Sequence, residues 1–224
     1  MDERWAIQGL DRVASPALLV RPCVVEQNVE RMIGLCGGPK RLRPHVKTHK
    51  MDEVVQIQMS AGIDKFKAST IAEVEMCLAA GAQDVLLAYS PVGPSPDRLI
   101  QLAEAYPDAR LSFLADDEAA LLAIIKRCVK TEVTLGVFVD FDCGMGRTGT
   151  SSVEDVVRIT KLICSSAGLS FEGVHAYDGH VRESKLSARR EMWSQAMSTV
   201  EGALAELAEA GHLVPAVVGG GSPT

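Results

Sequence analysis

The chain has 224 residues, 47% of them apolar and 23% charged. That is the make-up of a single folded domain with a substantial core, and it excludes a disordered or fibrous chain. Lys and Arg number 23 against 29 Asp and Glu, leaving a formal net charge of −6. The sign is wrong for a protein held on nucleic-acid phosphates or anionic lipid, and 4% aromatics are too few for base-stacking platforms.

The opening residues Met1-Asp2-Glu3-Arg4 are charged where a secretory signal is basic and then apolar. No run of about 18 uncharged apolar residues follows, so a cytoplasmic location is expected, with neither membrane nor nucleic acid as partner. The cysteines, Cys23, Cys36, Cys77, Cys128, Cys143 and Cys164, are scattered without a C-x-x-C pair. Most of them sit among apolar residues and read as small buried hydrophobes.

In chain order, a short apolar strand is predicted over 16–20, then a helix from Cys23 to the Gly37-Gly38-Pro39 stop. Strand 41–47 precedes helix 51–61, strand 65–69 precedes helix 70–80, and strand 84–89 precedes helix 95–106. The unit recurs as 110–115 with 116–130, and as 132–140 with 152–167. A further strand carries His175, and the last helix sets Trp193, Ala196, Met197, Val200, Ala203, Leu204 and Leu207 on one stripe before Gly211 ends it. Strand 216–218 then enters Gly219-Gly220-Gly221-Ser222-Pro223-Thr224. Alternation of this kind without hairpin signals requires parallel strands joined by helical crossovers, hence a (β/α)8 barrel or an open doubly wound sheet.

Four clusters carry residues with chemistry. The densest is Arg43-Pro44-His45-Val46-Lys47-Thr48-His49-Lys50, at the C-terminal end of a predicted strand, where barrel enzymes place their catalytic groups. Strand alternation puts Arg43, His45, Lys47 and His49 on one face. A lysine facing into a barrel must be paired with an anion or kept neutral by desolvation, and the second state makes an amine nucleophilic. The plainer alternative is a solvated basic turn. The second cluster, residues 140–149, contains a literal G-x-G-x-x-G at Gly144, Gly146 and Gly149. A dinucleotide fingerprint would open its helix directly, whereas Thr150-Ser151-Ser152 intervene here and the unit lies late in the chain. Arg147 is then either a surface ion pair or a cation aimed at an anionic oxygen.

The third cluster is His175-Ala176-Tyr177-Asp178-Gly179-His180, in which parity places His175 and Tyr177 on one face. Two histidines without a Cys or carboxylate at a known spacing make a weak zinc signal, and His180 reads equally as a polar cap. The terminal Gly219-Gly220-Gly221-Ser222 supplies what a phosphate-cradling nest of backbone N–H groups needs, or else a flexible tail.

Taken together, R-P-H-V-K-T-H-K, G-M-G-R-T-G, H-A-Y-D-G-H and G-G-G-S-P-T resemble, in order and spacing, the fold-type III pyridoxal-phosphate enzymes, the alanine-racemase-like barrels. Within them they are similar to the D-threonine aldolase and D-serine dehydratase family. The resemblance implies pyridoxal 5′-phosphate as cofactor, with Lys47 as the Schiff-base lysine, Arg147 near the phenolic oxygen and Tyr177 facing the pyridine nitrogen. Gly220, Gly221 and Ser222 would hold the phosphate, and Lys47, His45 and Tyr177 form the implied catalytic set. It further implies a small D-amino-acid substrate and a homodimer. The leading activity is retro-aldol cleavage of a D-β-hydroxy-α-amino acid to glycine and an aldehyde, with D-serine dehydration as runner-up and racemisation behind it. A non-catalytic pyridoxal-phosphate carrier is the rival from another class.

Members of that family continue into a final barrel strand and a C-terminal β domain, which supplies a His-x-Asp or His-x-Cys pair of ligands for a divalent metal, Mn or Zn. Residues 1–224 are therefore expected to be an incomplete pyridoxal-phosphate-binding barrel of seven strands. Its metal site would lie beyond Thr224, and the isolated stretch would be inactive.

Overall fold

The computed structural model describes residues 8–221, 223 and 224. Helix α1 (Pro22–Cys36) and helix α2 (Asp52–Ser60) come first. They are followed by β1 (Phe66–Ala68), α3 (Ile71–Ala79), β2 (Asp84–Leu87) and α4 (Ser95–Ala105). Next are β3 (Arg110–Ala115), α5 (Glu118–Cys128), β4 (Leu135–Asp140) and α6 (Val153–Cys164). Strand β5 (Leu169–Ala176), α7 (Leu186–Glu209) and β6 (Val217–Gly219) complete the set. Three helices begin on side chains that satisfy a free N–H of the first turn: Thr70 accepts from Glu73, Asp117 from Ala120 and Ser152 from Asp155. Among the described residues no helix is long and apolar enough to cross a membrane.

The six strands form one parallel sheet in sequence order, β1 to β6. A doubly wound sheet reverses its order at a switch point, and this one does not. Lys67 on β1 also reaches His175 on β5, Nζ to Nε2 3.4 Å, which a flat sheet would keep strands apart. The wall is therefore curled as in a barrel. Its outer face, with Phe66, Val85, Phe113, Val137 and Val139, packs under the helices in the main core. Its inner face holds a separate cluster of Leu86, Leu114 and Phe138, with buried polar Lys67, Ser112, Asp140 and His175 beside it.

A bulge in β5 decides which way His175 points. Phe171 pairs with Val137 and Gly173 with Phe138, so Glu172 is the extra residue. Before the bulge Leu169 and Phe171 pack in the outer core, and after it Val174 and Ala176 do. Parity has switched, and His175 turns inward beside Asp140, its register partner on β4. Gly173 makes this possible: its φ is +135°, and the carbonyl of Ala216, which accepts from Val174 N–H, lies where a Cβ would stand.

Several expected elements differ. Residues 16–20 are not a strand; they run unpaired along the surface, with Leu18 80% exposed. Residues 41–47 are not a full strand either. Pro44 has no N–H to give a ladder, so only its carbonyl takes a bond, from Lys67 N–H at 2.9 Å. His45 alone pairs with Lys67 before a 3-10 turn over Val46–Thr48. The expected seventh strand is reduced to that one bridge. In α7 the buried stripe is Ala196, Val200, Ala203 and Leu207, while Trp193 is 44% exposed. Cys77, Cys128 and Cys143 are buried, whereas Cys23 and Cys164 are exposed and Cys36 lies between. Burial thus describes half the cysteines rather than most.

Candidate active site

The segment from Arg43 to Lys50 is clamped at several points. Arg43 donates to the Asp84 carboxylate at 2.7 Å and to the Phe66 carbonyl, and stacks over the Phe138 ring. His45 Nδ1 accepts from the Lys47 backbone N–H while its Nε2 meets the Ser69 hydroxyl. His45 therefore shapes the turn under Lys47 and does not approach the Lys47 amine through these bonds. Lys50 adopts φ +51°, uncommon for a residue with a Cβ. Its ammonium pairs with the buried carboxylate of Glu73, which also accepts from Ser69 N–H. The Lys50 amine is thus anchored to the first turn of α3 rather than freely solvated, and Lys47 is left exposed with its amine directed at Tyr177.

Tyr177, just past β5, is where the clusters meet. Lys47 Nζ lies 5.9 Å from its ring centre, Lys67 Nζ 5.6 Å and Arg147 Cζ 5.0 Å. Beneath it runs a buried chain in which His175 Nδ1 stands 2.6 Å from Asp140 Oδ1 and Nε2 faces Lys67. Burial holds His175 below its ordinary range, so the ring is neutral. The carboxylate then accepts the Nδ1 proton and the Nε2 lone pair is turned to the Lys67 ammonium. Burial first, and then the nearby charges of Lys47 and Arg43, bring Lys67 down to about 8. Lys67 is the functional candidate that motif reading missed. The signal was present, since a lysine between Phe66 and Ala68 in a strand buried on both faces must point into the barrel.

Two glycine loops flank this centre. In the first, the Asp142 carboxylate accepts from Gly144 N–H and Gly146 N–H, and Asp116 from Gly149 N–H. The donors that a dinucleotide pyrophosphate would need are already engaged within the loop. The second loop runs along the end of β5: a Cβ on Gly221 would lie 3.3 Å from the Asp178 carboxylate and 3.5 Å from Gly179. Gly220 has φ +97° and nothing within 4 Å of where its Cβ would stand, so its backbone is open to close approach by an anion. Ser222 lies outside the described residues. Asp178 is fully buried with neither carboxylate oxygen partnered, and burial together with that carboxylate pushes the Cys143 thiol up to about 11. Among the described residues no three His, Cys, Asp or Glu side chains gather as metal ligands do.

The histidines make a stability prediction. Burial, with the charges of Lys47 and Lys67, lowers His45 from 6.5 to about 4, and burial lowers His175. The unfolded chain therefore takes up protons that the folded one refuses once the pH drops below 6.5. Urea midpoints are expected to fall steadily from pH 6.5 towards 4.5, before carboxylates such as Glu73, held down by Lys50 against the effect of its burial, begin to matter. Midpoints that stay level over that window would show that the two imidazoles are not held neutral.

Residues 23–224 match the sequence model of the alanine racemase N-terminal domain. The chain is 30% identical over 222 residues to a 3-hydroxy-D-aspartate aldolase of Paracoccus denitrificans strain Pd 1222, covering 96% of this chain and 57% of the relative. It is 28% identical to a D-threonine aldolase of Arthrobacter sp, covering 95% and 56%. The crystal structure of D-threonine aldolase from Filomicrobium marinum superposes with a TM-score of 0.87 at 27% identity, over 95% of this chain and 58% of that one. The D-threo-3-hydroxyaspartate dehydratase from Delftia sp. HT23 gives 0.82 at 27%, over 95% and 56%. The chain thus spans a little over half the length of the relatives it matches.

Proposed function

The chain belongs to the alanine racemase N-terminal domain family, and from that membership we propose that the protein is a pyridoxal-phosphate-dependent lyase. Its reaction is cleavage of a D-β-hydroxy-α-amino acid to glycine and an aldehyde. The observation that carries the proposal is the meeting of Lys47, Arg147 and Tyr177 beside an open glycine loop. The residues fit the cofactor: three cations surround one aromatic ring, and Gly220 leaves backbone free for a phosphate. Lys47 would hold the cofactor covalently, Arg147 would face its phenolic oxygen, Tyr177 its ring, and Gly220, Gly221 and Ser222 its phosphate. When bound, pyridoxal phosphate supplies a sink for the electron pair left on the substrate's Cα.

The rest falls to the chain's own groups. Lys47 would also be the amine able to hold a proton beside Cα. His45 keeps the turn that carries it, and the Lys50–Glu73 pair ties that segment to α3. The substrate carboxylate would join a centre where Lys47, Lys67 and Arg147 gather about Tyr177 and where the Asp140 carboxylate is engaged by His175. That balance suits a small anionic amino acid. We further propose a homodimer, and a divalent metal, Mn or Zn, bound with residues outside this stretch. The relatives, aldolases and a dehydratase, favour a lyase over a cofactor carrier.

The test uses the longest reading frame that contains this stretch, supplied with pyridoxal phosphate and Mn²⁺ or Zn²⁺. Glycine and acetaldehyde are expected from D-threonine, or glycine and glyoxylate from 3-hydroxy-D-aspartate. Ammonia with a keto acid and no glycine would select the dehydratase reading, which the Delftia structure motivates. No turnover of any of these substrates would reject the lyase.

A further inference from the structure

Lys67 has no part in holding the cofactor as described, yet it is the most deeply placed cation of the site, 7% exposed. The groups that face it come from every element around it. Arg43, His45 and Lys47 lie on the segment before α2, Asp140 on β4, Arg147 on the loop after β4, and His175 and Tyr177 on and after β5. Arg43 is already paired with Asp84. Of the facing residues Asp140 alone is a carboxylate, and it reaches Lys67 only through the neutral imidazole of His175. The amine thus sits in a positive surrounding, with a single acceptor and one unengaged side toward Tyr177.

We propose that Lys67 is the proton-exchanging residue of this site, taking up a proton from solvent when an anionic ligand settles against Tyr177, with Asp140 and His175 holding its amine in place. One N–H bond forms at Nζ, on the lone pair of the neutral amine, and nothing else is made or broken. The geometry gives the direction of the effect. Burial and the three like charges of Lys47, Arg43 and Arg147 oppose the ammonium and bring it to about 8, while Asp140 favours it. An added anion acts as Asp140 does and raises the value again. Affinity for the anion is then highest below pH 8 and declines above it, because the complex must draw a proton from a diminishing supply. The loss attributable to Lys67 is about fivefold between pH 8 and 9 if the bound amine regains its ordinary basicity.

This rests on the reading that the site takes a pyridoxal-type phosphate. The probe is pyridoxine 5′-phosphate, whose alcohol cannot bond to Lys47. Binding is measured by calorimetry from pH 7 to 9.5, in buffers of different ionisation heat that report proton uptake directly. The probe's own titration is common to all variants, so differences between variants isolate Lys67. Lys67→Arg stays charged throughout and is expected to bind about fivefold less pH-dependently than the parent between pH 8 and 9, without the extra proton uptake. Lys67→Met removes a poorly compensated buried charge, so it is expected to fold, to bind more weakly at pH 7.5 and to show the same flattened profile. If Lys67→Met fails to fold, the comparison of Lys67→Arg with the parent still decides. Equal pH profiles and equal proton uptake in all three proteins would overturn the proposal alone. Absence of binding to the parent at every pH would overturn the functional reading and the proposal with it.

Discussion

Reduction with borohydride in the presence of pyridoxal phosphate is expected to leave a pyridoxyl group on Lys47, and Lys47→Ala is expected to abolish the label. Three lysines compete for this role, and the structure separates them. Lys50 lies three residues on, but its ammonium is tied to the Glu73 carboxylate across the turn. To form a covalent bond it would have to give up that ion pair and leave the buried carboxylate with the Ser69 N–H as its partner. Lys67 approaches the Tyr177 ring, 5.6 Å from its centre, but is 7% exposed and its amine is held against His175. Lys47 is exposed, its backbone is fixed by His45, and its amine reaches Tyr177 without giving up an ion pair. Peptide mapping after proteolysis reads the outcome. A label on Lys50 or Lys67 in the parent protein would overturn the assignment, and a label retained in Lys47→Ala at parental stoichiometry would do the same.

How far the sequence reaches can be seen by comparing Lys47 with His175. Lys47 could be singled out as a candidate because Arg43 to Lys50 is a dense motif that resembles the cofactor-lysine segment of a known family. The backbone prediction there was nevertheless wrong, since Pro44 breaks the ladder and leaves a turn where a strand over 41–47 was expected. The alternation of β and α elements gave the barrel wall correctly, because parallel strands buried on both faces and helices with clear caps follow local rules. His175 is different. Its inward direction depends on one extra residue, Glu172, and on Gly173 lying against Ala216, a contact 43 positions away along the chain. Simple alternation happens to place His175 with Tyr177, but it does not place it with Asp140 or Lys67. Those two are joined to it only by sheet register and by the curl that brings β1 across to β5. Lys67 could have been found from parity within its strand. The Asp140–His175–Lys67 chain could not, because it requires knowing which strands neighbour and how the sheet bends.

The same bulge makes Gly173→Ala the substitution with the largest expected effect on stability. Two separate costs add at this position. The backbone conformation, φ +135°, is one that side chains with a Cβ rarely adopt, worth about 1–3 kcal/mol. The new methyl would also meet the Ala216 carbonyl well inside contact distance. That carbonyl cannot move freely, because it accepts from Val174 N–H at 3.0 Å and leads into β6. Forcing it aside costs roughly a further 1–3 kcal/mol, so a loss of about 2–6 kcal/mol is expected from a domain whose total stability is typically about 5–15 kcal/mol. Gly202→Ala is the matched control: it lies within α7, with nothing within 4 Å of the added Cβ, and alanine there is expected to stabilise by about 0.5–1 kcal/mol. Urea unfolding of both variants decides. The damage at Gly173 should reach the site as well, since relaxing the bulge returns His175 toward the outer core and removes the acceptor facing Lys67. Gly173→Ala unfolding at the same midpoint as Gly202→Ala would mean that the bulge is not what directs the histidine inward.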